Sequence, residues 1–426
     1  MTNGRLTEWS IISAGEGGNK IAVQFLATRW HEAIGNRVVL LNTARADLMK
    51  AEQMAKQIFE NLKSAFSGRV DESAIRSIEK LEEHFQVFAE IGAGNLWIVG
   101  EEALKKDFEG PELVRRKLDA MAIPPSDAHC DIFTLGGGTG CGSTPYLIYK
   151  TKKENITRGK HIAVAIWPEK EEGDQRHFNA ICGFSRLISY GGQQNADLII
   201  LISNDKLAEM SGVKGRQDLD AYFKMNEIIA DVLELMIAPG RTNADITIDI
   251  PDYVTLPRAL RITHVVPCIS KGNDVDIIEV ETALEDAKMH PLLPSDPETA
   301  LMVWAIFRVP KSRMDEFRHG GLKRTFDEWV KDNTMCRVKY MAITYDDSVK
   351  DEYDVLLLLG GCNIDIEDSY RKYKSFKRMF EISGDVIEIE VGGDVIRKPV
   401  TILDEIEDTL NSYFNRLSEA RGEGGV

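Results

Sequence analysis

Residues 134–145 read Thr-Leu-Gly-Gly-Gly-Thr-Gly-Cys-Gly-Ser-Thr-Pro, with five glycines among the seven residues Gly136 to Gly142. An apolar strand, Cys130 to Leu135, leads in, and a helix-like run, Tyr146 to Thr151, leads out. Glycine lets backbone N–H groups turn toward one point and approach a ligand with no Cβ in the way. At a helix start those N–H groups and the helix dipole favour an anion, most often phosphate. The cradle expected to hold it is Gly136, Gly137, Gly138, Thr139, Gly140, Cys141 and Gly142, with the Thr139 hydroxyl as an extra donor. The loop has neither the lysine of a Walker loop nor the dinucleotide G-x-G-x-x-G spacing. Phosphate charge must therefore be met by backbone N–H groups, the helix end and a metal ion. A tight strand-to-helix turn alone would need only one or two glycines.

At 426 residues, 43% hydrophobic and 28% charged, the chain has the length for two domains and the composition for a sizeable core. A net charge of −16 argues against wrapping nucleic acid, which needs a basic face. Cys130, Cys141, Cys182, Cys268, Cys336 and Cys362 are scattered without a C-x-x-C pair, the pattern of reduced thiols. The first residues lack the apolar core of a signal peptide, and no apolar run reaches the ~18–20 residues of a membrane span. A soluble, cytoplasmic protein is expected, with no metal-ligand cluster of its own.

Along the chain, apolar strand patterns alternate with helical ones at least five times, which predicts a mainly parallel sheet with right-handed crossovers. Trp9 to Ile12 is a strand entering a second glycine-rich turn, Gly15-Glu16-Gly17-Gly18-Asn19, with helix expected from Ile21. Arg37 to Leu41 is a strand ending in Asn42-Thr43-Ala44-Arg45-Ala46-Asp47, where α/β sheets bind ligands. Asp47 to Ala89 reads as a polar helical segment broken at Gly68, and Gly92-Ala93-Gly94-Asn95 is a third loop. Gln217 to Met236 has apolar residues three and four apart on both faces, which predicts one long helix buried nearly all round. Beyond it, Arg261 to Pro267 reads as a strand closed by its proline, with His264 on a strand face. Helices are expected near Val280 to Met289, Lys311 to Asn333 and Glu367 to Phe380, then an acidic helical stretch from Pro399. The expected division is residues 1–215, a central helix at 216–238, an α+β domain at 239–400, and a helix and tail at 401–426.

The motif resembles G-G-G-T-G-[SAG]-G, the signature of the tubulin/FtsZ superfamily, and further segments follow in that family's order. Gly15 to Asn19 resembles the first nucleotide loop. Asn42 to Asp47 is similar to the second, in the form N-[ST]-A-[KR]-A-D of archaeal CetZ-type proteins. Gly92 to Asn95 is similar to the third, and Gly136 to Gly142 to the fourth. Glu172-Gly173-Asp174-Gln175-Arg176 resembles the sugar-contacting E-G-x-x-R, and Asn204-Asp205-Lys206-Leu207 resembles N-D-[KR]-L. Asp220-Ala221-Tyr222 with Asn226 resembles D-A-F-x-x-x-N, in which the aromatic stacks on guanine and the Asn reads its edge. Pro239-Gly240-Arg241-Thr242-Asn243-Ala244-Asp245 resembles P-G-x-x-N-x-D, the loop that enters the neighbouring subunit's nucleotide site. These matches span roughly residues 10 to 250.

The resemblance implies a Rossmann-like GTPase domain, a long central helix and a smaller α+β domain. It implies GTP or GDP as ligand, with phosphates on the first, third and fourth loops. Ribose and base would fall to Asn42, Glu172, Arg176, Asn204, Tyr222 and Asn226. Mg²⁺ would bridge phosphate oxygens and waters, since Ala44 stands where the family has a carboxylate. Asp245, with Asn243, would act on the GTP of the next subunit, so that head-to-tail filaments hydrolyse GTP at their interfaces. Cell shape is the process the CetZ likeness suggests, with other tubulin-like subunits or adaptors as further partners. Three departures stand out, the first being a segment between the second and third loops longer than in the CetZ pattern. Ile248 occupies the place of the second family carboxylate, with Asp249 one residue on as its substitute or simply as a helix cap. The C-terminal residues lack the apolar adaptor peptide of FtsZ. The rival reading is a GTP-binding regulator that neither polymerises nor hydrolyses quickly. A Rossmann dehydrogenase leaves the triple glycine unexplained.

Overall fold

The apolar runs between the glycine-rich loops become strands of one ten-stranded sheet. In this computed structural model the described residues are 6–28, 33–65, 80–89, 92–216, 218–241, 246–272, 280–319, 321–346 and 352–423. The first half of the sheet holds β1 (Trp9–Ala14), β2 (Val38–Asn42), β3 (Phe85–Val87), β4 (Ala128–Thr134), β5 (Lys160–Trp167) and β6 (Leu198–Ser203), all parallel, in the order β3-β2-β1-β4-β5-β6. Every residue of β1 and β6 is buried, as expected of parallel strands covered by helices on both faces.

Helices start where these strands end: α1 (Gly15–Thr28), α2 (Arg45–Ala65), α3 (Trp97–Glu109), α4 (Thr139–Lys153), α5 (Asp174–Ile188) and α6 (Asn204–Met210). α1 and α4 begin inside the glycine loops rather than after them, so their free N-terminal N–H groups belong to the loops themselves. α1 lies close on the sheet because Gly18 has no Cβ. A Cβ there would sit 2.4 Å from the carbonyl oxygen of Ile132.

The long helix is α7 (Leu219–Ile237), capped by the Asp218 carboxylate accepting from the Ala221 N–H at 2.9 Å. It packs on α1, where Gln24 Nε2 donates to the Phe223 carbonyl at 2.7 Å. Burial all round holds only for its later turns. Leu219 is 49% and Tyr222 39% exposed, because the first turn borders an open cleft.

After α8 (Ile250–Leu260) come β7 (His264–Gly272), β8 (Met302–Pro310), β9 (Val338–Asp346) and β10 (Tyr353–Gly360). They continue the sheet as β6-β7-β10-β8-β9, with β10 antiparallel to both neighbours. β7 joins β6 through only two pairs, Ile199 with His264 and Ile200 with Val265. Pro267 therefore does not close the strand. It sits within it, past the end of the β6 pairing, where a missing N–H breaks no ladder.

Other expectations need correction. The segment read as helix to Ala89 contains β3, a three-residue edge strand against β2. The helix expected from Lys311 to Asn333 is broken. It runs Met314–His319, then restarts at Leu322–Asn333 after Gly321, which adopts φ +74°. Helices α3 and α8 and the hairpin Val386–Val391/Asp394–Pro399 went unread, and α9 (Ile402–Arg421) closes the chain against α5. Among the described residues no helix is long and apolar enough to cross a membrane.

Candidate functional site

A cleft of about 740 Å³ opens at the carboxyl ends of the parallel strands, where an α/β sheet places its ligand. Its floor is backbone. Gly15 adopts φ +77° at the β1–α1 turn, and a Cβ on it would stand 3.0 Å from the Gly140 nitrogen. A Cβ on Gly140 would in turn be 2.5 Å from the Ala14 carbonyl oxygen, and one on Gly138 would be 2.7 Å from the Leu96 nitrogen. The first, third and fourth loops thus touch backbone to backbone. Most glycines of the central motif serve this packing. Gly137 differs: a Cβ there would meet only Thr134 Oγ1, at 3.6 Å, and would otherwise project into free space. A side chain at Gly137 would fill the cleft, the fit expected of a phosphate cradle.

Side chains complete the walls. The Thr139 hydroxyl pairs with that of Thr43 at 2.8 Å, joining the second loop to the fourth. Glu16 accepts from Lys20 at 2.6 Å and Lys50 at 2.9 Å. Burial raises the Glu16 carboxyl, but the two ammonium groups outweigh it and hold the carboxyl below its ordinary value. Arg176 pairs with Glu172 at 2.8 Å. Glu169 is pushed up, first by burial and then by Glu172, Asp205 and Glu171. Tyr222 offers a half-exposed ring with Lys20 Nζ 5.6 Å from its centre, and Asn226 lines the same cleft one helical turn on.

Of the residues singled out from sequence, Gly15, Glu16, Gly17, Gly92, Ala93, Gly94, Asn95, Gly136, Gly137, Gly138, Thr139, Gly140, Glu172, Arg176, Asn204, Tyr222 and Asn226 line this one cleft. Five others do not line it. Gly18 seats α1 on β4. Asn19 is fully buried, accepting from Ser13 Oγ at 2.6 Å and donating to the Leu41 carbonyl at 3.1 Å. Asn42 is buried at the end of β2, its Oδ1 accepting from the Ala44 N–H. Cys141 turns inward, its thiol donating to the Asn179 carbonyl at 3.0 Å, and burial pushes that thiol well up. Gly142 faces α3, where a Cβ would be 1.9 Å from the Trp97 carbonyl oxygen.

Asn243 and Asp245 lie outside the described residues. Asp249 is the N-cap of α8. Its carboxylate accepts from the Asp252 N–H at 3.3 Å while Asp252 Oδ2 accepts from the Asp249 N–H at 3.0 Å, a closed capping box. Ile248 is 1% exposed.

Sequence reasoning missed Lys20, Thr134, Glu169 and Glu171 in the lining, and Asn179 behind it, while Thr43 and Asp47 line the cleft from the second loop it had read. Asn179 is fully buried on α5. It donates to the carbonyls of Asn95 at 2.9 Å and Gly136 at 3.0 Å, and accepts from the Trp97 N–H at 3.1 Å. Only the alternation of loops and helices could have hinted at it.

Residues 8–212 match the family model described as Tubulin/FtsZ family, GTPase domain. A stretch of 153 residues is 35% identical to the tubulin-like protein CetZ of Thermococcus kodakarensis, covering 35% of this chain and 37% of that protein. The chain therefore spans little more than a third of that curated relative's length. Among solved structures, the GDP-bound monomer of CetZ1 from Haloferax volcanii superposes with a TM-score of 0.67 at 16% identity, covering 88% of this chain and all of that one. The GTPγS-bound protofilament of CetZ2 from the same organism gives 0.66 at 18% identity, covering 88% of this chain and 99% of that one.

Proposed function

The chain belongs to the tubulin/FtsZ superfamily, with its GTPase domain at residues 8–212, and on that premise we propose that it is a GTP-binding protein that assembles head to tail and hydrolyses GTP between subunits. The observation that carries the reading is the single cleft lined both by the open face of Gly137 and by the Tyr222–Asn226 pair. Phosphates suit the first, and a purine the second: an exposed ring to stack on and an amide to read the base edge.

The lining has five carboxylates, Glu16, Asp47, Glu169, Glu171 and Glu172, against two cations, Lys20 and Arg176. A triphosphate entering a cleft of this charge needs backbone N–H groups and a divalent cation to neutralise it. Mg²⁺ would supply that neutralisation when bound. Asp245 of the adjoining subunit would position the attacking water. A head-to-tail contact is heterologous and need not close, so its natural product is a filament. The likeness to CetZ-type proteins extends this reading to control of cell shape.

A second reading is favoured by one feature. With Ile248 buried and Asp249 engaged in a capping box, a second carboxylate is not free to reach a neighbour, which suits a slowly hydrolysing GTP-binding regulator. Sedimentation with GTP and Mg²⁺, against GDP as control, tests the main reading together with turnover measured across protein concentration. A GTP-dependent pellet and turnover per subunit that rises with concentration support it. Bound GTP with neither leaves the regulator, and absence of guanine-nucleotide binding removes both.

A further inference from the structure

A second cavity lies at the other pole of the sheet. Its volume is about 440 Å³, within the range of small-molecule sites, and it shares no lining residue with the glycine-loop cleft. Thr263 stands on its wall just before β7, and the Thr263 carbonyl accepts from the Ile199 N–H at 2.7 Å, at the start of β6. The other walls are the hairpin that reverses at Gly191 and Gly192, the last residue of the turn after α8, and one face of α9.

We propose that this cavity binds a small, multiply charged oxyanion, phosphate- or carboxylate-bearing. Two donors on its wall lack acceptors. Arg416 Nε and Gln194 Nε2 are buried without a hydrogen-bond partner. A buried donor left unpaired is costly, so a ligand with several acceptor oxygens is what the wall lacks. No carboxylate lines the cavity, although Arg261 and Arg416 both do, in a chain of net charge −16.

Arg416 is held ready for this role. Its Nη2 donates to the Arg261 carbonyl at 3.0 Å, and its guanidinium lies 5.3 Å from the ring centre of Tyr413. The C-terminal ends of α5 and α8 also face this region, each equivalent to roughly −0.5 charge. Two full guanidinium charges outweigh them, and Arg416 already satisfies the carbonyl at the α8 end. An anion here bridges α9 to the end of α8, the helix that begins just after residues 242–245. A small metabolite would thereby gain a hold on the element that carries the proposed interface loop.

Calorimetric titration of the full chain tests this, with GDP saturating and ionic strength held constant. Inorganic pyrophosphate is the probe in one arm and citrate in the other. One saturable site beyond the nucleotide is expected, weakened at least ten-fold in both Arg261→Gln and Arg416→Gln and unchanged in Arg397→Gln. Tighter pyrophosphate assigns the site to phosphates, and tighter citrate to carboxylates. Arg261 is exposed, so Arg261→Gln should keep the wild-type melting temperature and read binding alone. No saturable site with either probe, or a site that survives both substitutions, overturns the proposal.

Discussion

The side-chain amide of Asn179 donates to the carbonyl oxygen of Gly136 at 3.0 Å, and the same nitrogen reaches the Asn95 carbonyl at 2.9 Å. One buried amide on α5 therefore ties the third loop to the fourth, and its oxygen holds the Trp97 N–H at the start of α3. Asn179→Ala would leave two buried backbone groups unpaired, the Gly136 carbonyl and the Trp97 N–H, each costing about 1–3 kcal/mol, while the Asn95 carbonyl keeps Gln175 Nε2 at 2.9 Å. The expected result is a melting temperature lower by several degrees and guanine-nucleotide affinity weaker by at least about ten-fold. Asn179→Asp should be no better, since a carboxylate offers no donor to two carbonyls. Unchanged affinity in a folded Asn179→Ala protein would mean that the loops hold their shape without it.

The glycines of the central motif should separate into two classes. Gly137→Val should fold normally, because its Cβ meets only Thr134 Oγ1 at 3.6 Å, yet it should abolish nucleotide binding. Gly140→Val should fail earlier, since its Cβ would press to 2.5 Å from the backbone oxygen of Ala14. Thermal melts and nucleotide content after purification distinguish them. A Gly137→Val protein that still carries nucleotide would count against the cradle.

What was legible in the sequence depended on distance along the chain. The glycine loops were readable because each is one short glycine-rich run between a strand and a helix. The reason for most of those glycines was not, since Gly140 meets Ala14 and Gly138 meets Leu96, contacts that only the fold creates. Asn179 was invisible for the same reason, its partners lying 43, 82 and 84 residues away. β3 was missed because three half-buried residues are too few to show an alternation. The Pro267 reading failed because a proline breaks a strand only where its N–H is needed, and β6 stops pairing two residues earlier. A cap at Asp249 was one of the two readings of that residue, but the return bond from Asp252 that makes it a capping box was not read.

Acid should loosen the C-terminal helix from the sheet. His264 is fully buried, its Nε2 paired with the Cys362 carbonyl at 2.9 Å and its Nδ1 with the Tyr413 hydroxyl at 2.6 Å. A carbonyl only accepts, so Nε2 carries the proton and Nδ1 accepts from Tyr413. Burial lowers this imidazole to about 4. The folded value lies below the unfolded one, so the contribution is complete above about pH 6.5 and is lost as pH falls toward 4. For this group the loss at pH 4.5 is on the order of 2 kcal/mol. Urea unfolding from pH 7 to 4.5 checks it: His264→Gln should flatten the pH dependence by that amount. An equal slope in both proteins assigns the acid sensitivity to other groups.

The last expectation concerns the shared site, and it sets Asp245 against Asp249. If Asp245 acts on the neighbour's GTP, Asp245→Ala should leave GTP binding nearly intact and lower turnover by roughly 10²–10⁴-fold, the scale for a positioned acid/base group. Asp249 is held in the capping box of α8, so Asp249→Ala should lower stability by about 1 kcal/mol and change turnover little. Similar large losses from both would mean that the capping carboxylate also reaches the interface. Mixing then separates catalysis in trans from catalysis within one subunit. Asp245→Ala protein keeps an intact cradle, and Gly137→Val protein keeps an intact Asp245. In a head-to-tail pair only one orientation sets the intact cradle against the intact carboxylate, with the Gly137→Val subunit as donor. Turnover by the mixture above that of either protein alone is the expected result, provided nucleotide-free subunits still dock. Wild-type turnover by Asp245→Ala protein on its own would remove the residue from the chemistry altogether.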